Sequence, residues 1–134
     1  MSADAREPGR DMQQSAFTDI LADIEGVCPG FLAAVFYDRE GEAIDYHSYL
    51  DPYATRLLAA HLVVVVHSAV RKFETLQMGH IDYMEIYGSC RDSISVAMGD
   101  ELFLSVIVES GNLNQAVHRR IRQVIERLRR EVNG

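Results

Sequence analysis

Residues 52–76 read PYATRLLAAHLVVVVHSAVRKFETL, and the spacing of apolar side chains in this stretch predicts one long amphipathic helix. At 100° per residue the larger apolar side chains fall on one stripe: Leu58, Leu62, Val65, Ala69, Phe73 and Leu76, widened by Ala59, Val66 and Val70. A stripe of this width is typical of a helix that covers a sheet. Asp51 and Pro52 mark its start, because proline in the first helical turn loses no hydrogen bond.

The opposite side of this helix is not plainly polar. Leu57, Ala60 and Val64 recur at steps of three and four, followed by His67 or Ser68 and by Arg71, with Arg56, His61 and Lys72 as flanking residues. A helix with two apolar faces has two neighbours in most folded proteins. Because the chain is short, we expect the second neighbour to be another molecule.

Composition limits the class of protein. A chain of 134 residues corresponds to about one domain, and its 48% hydrophobic and 25% charged residues are ordinary for a globular protein. The longest apolar run, Leu62–Val66, is far shorter than the roughly 20 residues that span a bilayer. Without an apolar signal segment at the N-terminus, we expect a cytoplasmic protein with no membrane insertion and with Cys28 and Cys90 as free thiols.

Charge is distributed unevenly along the chain. The net charge of −7 argues against general nucleic-acid binding. Six of the 13 basic residues nevertheless lie between Arg119 and Arg130, whereas the first 25 residues hold six acids against two arginines. We interpret these as the solvated faces of two helices that pack side by side.

The remaining elements follow from periodicity and turn residues. Residues 1–12 are polar and carry proline and glycine, which predicts a disordered N-terminal tail before a single domain at 13–134. The predicted helices cover residues 13–25, 52–76 and 113–132, and the predicted strands cover 31–37, 43–50, 80–87, 93–98 and 102–108. The order is αββαβββα, with the two most apolar strands central and helices on both faces of the sheet.

No group of residues in the sequence predicts a catalytic or metal-binding site. The sequence has no Gly-rich phosphate loop, and His61 and His67 would point about 120° apart on a helix rather than toward one metal ion. The acids Asp38, Glu40, Glu42 and Asp45 lie around a hairpin turn, where we interpret them as solvated. We therefore expect no catalytic, cofactor-binding or metal-binding residue, and no enzymatic activity.

Tyr83, Glu85 and Tyr87 share one face of the third predicted strand. Two interpretations remain open. They could form a half-buried face with hydroxyl groups at its rim, or the strand could be a sheet edge that pairs with a partner through its free N–H and C=O groups.

The pattern resembles the roadblock family, the dynein-light-chain type of small α/β domain with many bacterial members. The similarity covers residues 14–130 and rests on Gly30 before the first strand, the run AVFYDREG at 34–41, LAA at 58–60, Gly79, and LFLSVIV at 102–108. It implies a five-stranded antiparallel sheet of order 2-1-5-4-3, with the long helix on one face and the other two helices on the opposite face.

The resemblance also implies a dimer in which long helix packs on long helix and third strand pairs with third strand. The residues implied in that interface are Leu57, Ala60, His61, Val64, Ser68, Tyr83, Glu85 and Tyr87. Family members regulate or scaffold Ras-like small GTPases, and similar bacterial proteins act in cell polarity and gliding motility as GTPase-activating proteins or their partners.

For this chain the resemblance implies a non-enzymatic homodimeric regulator, located in the cytoplasm or brought to a cell pole by partners. Arg56, His67, Arg71 and Lys72 would then form a basic partner-binding face, although ordinary helix solubility explains the same residues. The β-branched run at 63–66 departs from the family pattern and favours an alternative, an adaptor that binds another roadblock protein. A small-ligand sensor of PAS type is the third alternative.

Overall fold

A computed structural model describes residues 6–134 of the chain. The elements in chain order are helix α1 (Thr18–Ala22), a 3-10 turn (Glu25–Val27), strand β1 (Phe31–Asp38), strand β2 (Ala43–Ser48), helix α2 (Pro52–Thr75), strand β3 (Met84–Tyr87), strand β4 (Arg91–Met98), strand β5 (Leu102–Glu109) and helix α3 (Gln115–Asn133). The predicted order of elements is confirmed.

The five strands form one antiparallel sheet in the order β2-β1-β5-β4-β3, as predicted. β1 lies between β2 and β5, so that Val35 stands opposite Tyr46 on one side and Ser105 on the other. Both central strands are almost entirely buried, which explains their unbroken apolar sequences.

Two hydrophobic cores lie on opposite faces of the sheet. α1 and α3 cover one face, where Leu21, Ile121 and Leu128 pack with Phe36 and Leu104 of the central strands. α2 covers the other face, where the buried residues are Ala33, Val35, Tyr37, Tyr46, Ala59, Val63, Val66, Phe103 and Ile107. This layering, with one helix opposite two, confirms the predicted arrangement.

The acidic and basic parts of the chain meet beside α1. Asp23, directly after α1, forms an ion pair with Arg127 of α3, and its backbone carbonyl accepts a hydrogen bond from Arg120 Nη1 at 2.6 Å. The predicted side-by-side packing of these two helices is therefore confirmed.

The face of α2 that meets the sheet differs from the predicted one. The buried positions are Thr55, Ala59, Val63 and Val66, whereas Val65, which the spacing places in the core stripe, is 48% exposed. Leu76 is exposed as well and lies beyond the last helical residue. The prediction of these two residues as core is wrong, and the helix is rotated toward its smaller side chains.

The close approach of the β1–β2 turn explains this rotation. Gly41 has a positive φ of 82°, and a Cβ atom there would lie 3.0 Å from the Cα of Ala60 and 3.0 Å from Cγ1 of Val63. Contacts this short are compatible only with small groups on both sides. Ala60 and Val63 lie against this turn, so that Ala59, Val63 and Val66 face the sheet and Val65 faces away from it.

Three elements are shorter than predicted. α1 begins at Thr18 rather than residue 13, because the Ser15 hydroxyl accepts the N–H of Phe17 and the Thr18 hydroxyl accepts the N–H of Ser15. β2 ends at Ser48, whose hydroxyl accepts the N–H of Leu50. β3 begins only at Met84, so Tyr83 precedes the strand that is predicted to contain it.

By length and composition alone, α2 is also the one helix within residues 6–134 that could cross a membrane. Those two properties do not distinguish a membrane span from a helix that covers a sheet. In this structure α2 packs along the sheet through Ala59, Val63 and Val66.

Asp51 caps α2 and provides a prediction about stability. Its carboxylate accepts the backbone N–H groups of Tyr53 at 3.1 Å and Ala54 at 3.2 Å. Replacing Asp51 with alanine leaves these donors without a side-chain acceptor, so we expect the free energy of unfolding to fall by about 1 kcal/mol in urea denaturation. Asp51→Asn keeps an acceptor oxygen and should lie close to the wild type; an equal loss in both variants would rule out capping as the cause.

Candidate functional site

α2 presents a stripe of exposed apolar side chains on the side away from the sheet. Tyr53 is 69% exposed and Val64 is 68% exposed, with Leu57 between them at 38%. The predicted interface residues Ala60, His61 and Ser68 are also exposed on this side. A contiguous apolar surface of this kind marks a site of association in most proteins. Tyr53 is absent from the predicted interface, although its aromatic side chain in the first helical turn is a usable signal.

The cations of α2 do not form one continuous face. Arg56 and His67 are eleven residues apart, about three helical turns, and so lie on one flank of the helix. Arg56 forms a two-bond ion pair with Asp11, at 2.9 and 3.0 Å. The His67 ring is half-buried and packs edge-on against Phe103, with centroids 6.1 Å apart.

Arg71 and Lys72 are exposed near the C-terminal end of α2, and no ion pair involves either of them within residues 6–134. Of the four predicted partner-binding residues, these two are the ones whose charge is fully available to another molecule.

β3 is the last strand of the sheet order, and its two faces differ in character. Met84 packs against the core beneath α2, and Ile86 on the same face is 43% exposed. On the other face Glu85 accepts a hydrogen bond from the hydroxyl of Tyr87 and pairs with His118 Nε2 of α3 at 2.5 Å. Glu85, Tyr87 and His118 therefore form a connected group of side chains beside the outer edge of β3.

Tyr83 and Tyr87 are 54% and 65% exposed at this end of the sheet. The Tyr83 ring packs edge-on against His118, with centroids 5.1 Å apart. The hydrogen bond to Glu85 raises the pKa of the Tyr87 hydroxyl. Both tyrosine side chains are therefore accessible to a partner, whereas Glu85 between them is largely buried.

At the other end of the sheet, residues 6–12 (here the N-terminal segment) cover the outer edge of β2. The N–H of Gly9 donates to the Ser48 carbonyl at 3.1 Å, and Arg10 Nη1 donates to the Tyr46 carbonyl at 2.7 Å. The predicted disordered tail falls partly outside the described residues, at 1–5. Residues 6–12 differ from the prediction, because they pack along β2 and donate hydrogen bonds to its outer carbonyls.

Asp45 anchors this segment and is fully buried, in contrast to its interpretation as a solvated hairpin acid. Its carboxylate accepts hydrogen bonds from Arg10 at 2.7 Å, Ser15 at 2.6 Å and Thr18 at 2.5 Å, and from the N–H of Tyr46 at 2.7 Å. Burial raises the pKa of Asp45, but these donors together outweigh it and hold the pKa below the usual value.

Glu25 is a second carboxylate of the same kind, held by His47 and Tyr49 farther along the same face of the chain as Asp45. Burial raises its pKa, and hydrogen bonds from Tyr49 and His47 outweigh burial, so that the pKa is lowered. Burial together with Glu25 raises the pKa of Tyr49 to about 12.

The lowered pKa values of Asp45 and Glu25 allow a prediction of how the free energy of unfolding depends on pH. Because their pKa values are lowered in the folded state, the unfolded chain binds more protons at acidic pH. We expect the free energy of unfolding to be retained above about pH 5 and to fall as the pH decreases through about 4 to 3. Urea denaturation at a series of pH values measures this. Asp45→Asn should make the decline shallower, whereas an unchanged slope would show that Asp45 does not titrate as inferred.

Chemical groups do not gather into a reactive centre in the described part of the chain. Within residues 6–134 no three His, Cys, Asp or Glu side chains come close enough to hold a metal ion. Cys28 is buried, where desolvation raises its pKa and keeps the thiol protonated, and Cys90 is exposed. What this arrangement can do is bind other proteins, through an apolar helix face and a sheet edge.

An antiparallel sheet of order 2-1-5-4-3, with one long helix opposite two, defines a class of small α/β domain. That class is the roadblock/LC7 fold. A Roadblock/LC7 domain from Streptomyces avermitilis superposes with a TM-score of 0.81 at 13% identity, covering 90% of this chain and 100% of that one.

Two solved structures from Myxococcus xanthus have the same fold. MglB superposes with a TM-score of 0.76 at 16% identity, covering 89% of this chain and 98% of the other. MglC superposes with a TM-score of 0.62 at 17% identity, covering 84% and 96%. No protein-family model matches the sequence, and neither does any curated protein. The predicted roadblock fold is confirmed by structure.

Proposed function

We propose that this protein is a non-enzymatic, homodimeric regulator or scaffold of a bacterial Ras-like small GTPase, in the way that the roadblock resemblance implies. The observation that supports it is the exposed apolar stripe on α2, which includes Tyr53, Leu57 and Val64. Such a surface is costly to leave in water and has no role in the fold of a single chain. Similarity of fold to MglB, described as a gliding protein in Thermus thermophilus, directs the proposal toward motility and polarity.

The homodimer is proposed to form through α2 and β3 together. The stripe on α2 would pack against its copy, burying Leu57, Ala60, His61, Val64 and Ser68, as the resemblance implies. β3 would pair with the β3 of the second copy and extend the sheet, with Tyr83, Glu85 and Tyr87 beside the junction. The N-terminal segment supports this choice of edge, since it occupies the outer carbonyls of β2.

The GTPase is proposed to dock at the C-terminal part of α2. Arg71 and Lys72 are exposed cations on an acidic protein, and cations in such a position increase the association rate with an acidic surface. Arg56 belongs to the same proposed surface, but its pair with Asp11 reduces the charge that it offers.

A turnover assay tests this function. The protein is mixed with the GTP-loaded Ras-like GTPase encoded nearest to its gene, and phosphate release and complex formation on gel filtration are followed. We expect a complex and a change in phosphate release that Arg71→Ala/Lys72→Ala weakens about tenfold, with Arg39→Ala/Arg91→Ala as the matched control. If the assay shows no complex and no change in phosphate release, the proposal of a regulator is disproved.

The exposed valines of α2 favour a second function, an adaptor for another roadblock protein. Val64 and Val65 both face outward, and the cation Arg56, more than two turns earlier on the same helix, is already paired. An apolar helix face with little free charge matches the apolar helix of a second roadblock protein better than it matches the polar surface of a GTPase. Co-purification with a second roadblock protein, without any change in GTP turnover, would support the adaptor over the regulator.

A further inference from the structure

A groove of about 910 Å³ lies between α3 and the β3–β4 part of the sheet, on the face opposite α2. The residues that line it are Asp82, Tyr83, Ile94, Val96, Gln115, His118, Arg119, Ile121, Arg122, Ile125, Glu126 and Arg129. None of the surfaces proposed for the dimer or the GTPase uses its basic wall.

The layering of the fold explains why the groove exists. Five strands spaced about 4.8 Å apart make a sheet about 19 Å wide. Helices that pack side by side lie about 10 Å apart, so this face can hold a further helix beside α3. α1 packs over β1 and β2, whereas α3 shares a core with Ile94 of β4 and pairs through His118 with Glu85 of β3, and within residues 6–134 no further helix lies beyond α3 at this end of the sheet.

The charges along its wall indicate what fits there. Arg119, Arg122 and Arg129 follow one another at intervals of three and seven residues, and therefore line one flank of α3. Arg119 and Arg122 are exposed and form no ion pair with any residue from 6 to 134. Arg129 has only a loose contact with Glu126 at 3.6 Å, between two half-exposed side chains.

Two other arginines of α3, Arg120 and Arg127, do not share this property. Arg120 and Arg127 point to the opposite flank, where both bind Asp23 beside α1. The fold thus uses one arginine flank internally and leaves the other unpaired in a chain with a net charge of −7. Guanidinium groups at these intervals match carboxylates at the same intervals on a neighbouring helix.

We propose that this groove binds an amphipathic helix of a partner protein that carries acidic residues one and two turns apart. Its carboxylates pair with Arg119, Arg122 and Arg129. Its apolar side chains contact Val96 and the Tyr83 ring, which are the accessible apolar groups at the base of the groove. A lysine or arginine of the partner helix placed near Asp82 completes the charge match. The proposal does not depend on the GTPase.

A selection experiment can find such a helix among random sequences. A display library of random 18-residue peptides is selected on the full chain, and the affinities of enriched peptides are measured by fluorescence anisotropy. We expect enriched peptides with acids at spacings of three, four and seven, whose Kd rises at least tenfold on Arg119→Glu/Arg122→Glu. Both arginines are exposed, so the fold should tolerate the change.

Matched variants separate this groove from other surfaces. Arg39→Glu/Arg130→Glu changes the net charge equally, at exposed positions that do not line the groove, and should leave binding unchanged. Peptides in which lysine replaces the acids should bind the Arg119→Glu/Arg122→Glu variant better than the wild type.

Several results would overturn the proposal. They are the absence of any enriched peptide, enriched peptides without acidic spacing, or peptide binding that Arg119→Glu/Arg122→Glu leaves unchanged. A 20-nucleotide RNA is included as a further probe. RNA binding that is lost on Arg119→Glu/Arg122→Glu, with no acidic peptide bound, would assign the flank to nucleic acid instead.

Discussion

Replacing Asp45 with alanine is expected to lower the free energy of unfolding by about 3 to 5 kcal/mol, or to prevent folding altogether. The side chain is fully buried, and its carboxylate neutralises Arg10 and accepts the Ser15 and Thr18 hydroxyls. Without it, a partly buried guanidinium and two hydroxyl groups lose their acceptor. Urea denaturation followed by circular dichroism measures the change.

Glu40→Ala is the matched control for this prediction. Glu40 lies five residues away in the same acidic hairpin and is exposed. Its removal should change the free energy of unfolding by less than about 0.5 kcal/mol. If Asp45→Ala were equally mild, the buried network around Arg10 would contribute little, and the N-terminal segment would be held by backbone contacts alone.

Replacing Val64 with glutamate is expected to dissociate the proposed homodimer without unfolding the chain. Val64 is 68% exposed in the single chain, so the charge remains hydrated in the monomer. In the proposed dimer the same charge would be buried against the second α2 without a partner. That costs about 3 kcal/mol or more, which corresponds to a rise of at least about 100-fold in the dimer Kd. Light scattering over a concentration series measures it.

Val132→Glu introduces the same change near the end of α3, at a position that is 45% exposed. It should leave the association state unaltered. A Val64→Glu protein that remains dimeric, with the Val132→Glu protein as reference, would show that the α2 stripe is not the interface. Loss of the dimer in both variants would instead point to net charge as the cause.

The fold could be predicted from the sequence because each element carries a local signal. The two apolar strands, β1 and β5, are central because unbroken apolar sequence requires cover on both faces. Turn glycines such as Gly41 and Gly99 divide the strands, and both have positive φ angles in the structure. The order of the strands follows from the family resemblance, and the structure confirms it.

The orientation of α2 could not be predicted in the same way. Spacing identifies the correct apolar stripe, since Ala59 and Val66 are buried as predicted, but it does not fix the rotation that leaves Val65 exposed. The deciding contact is with Gly41 of the hairpin turn, which selects small residues. That contact depends on tertiary structure, and periodicity does not contain it. The predicted interface residues of α2 are exposed. Tyr53, which is exposed on the same side, is not among the predicted residues.

The role of the N-terminal segment could not be predicted because its partners are distant in sequence. Arg10 binds Asp45, which is 35 residues away in sequence, and Asp11 binds Arg56, which is 45 residues away. A polar segment with proline and glycine is typical of a tail when read alone. A usable signal is present in Asp45, an acid at a strand position between Ile44 and Tyr46 whose burial would demand a cation.

Coverage of one sheet edge also limits how many copies can join. A sheet with two open edges can add a chain at either end, and nothing stops the addition from continuing into a fibre. With the outer carbonyls of β2 occupied by Gly9 and Arg10, the β3 edge is the end that we propose for strand addition within residues 6–134. Joining two such ends uses both, so growth by strand pairing stops at two chains. In the proposed dimer, residues 6–12 would therefore limit strand pairing to two chains.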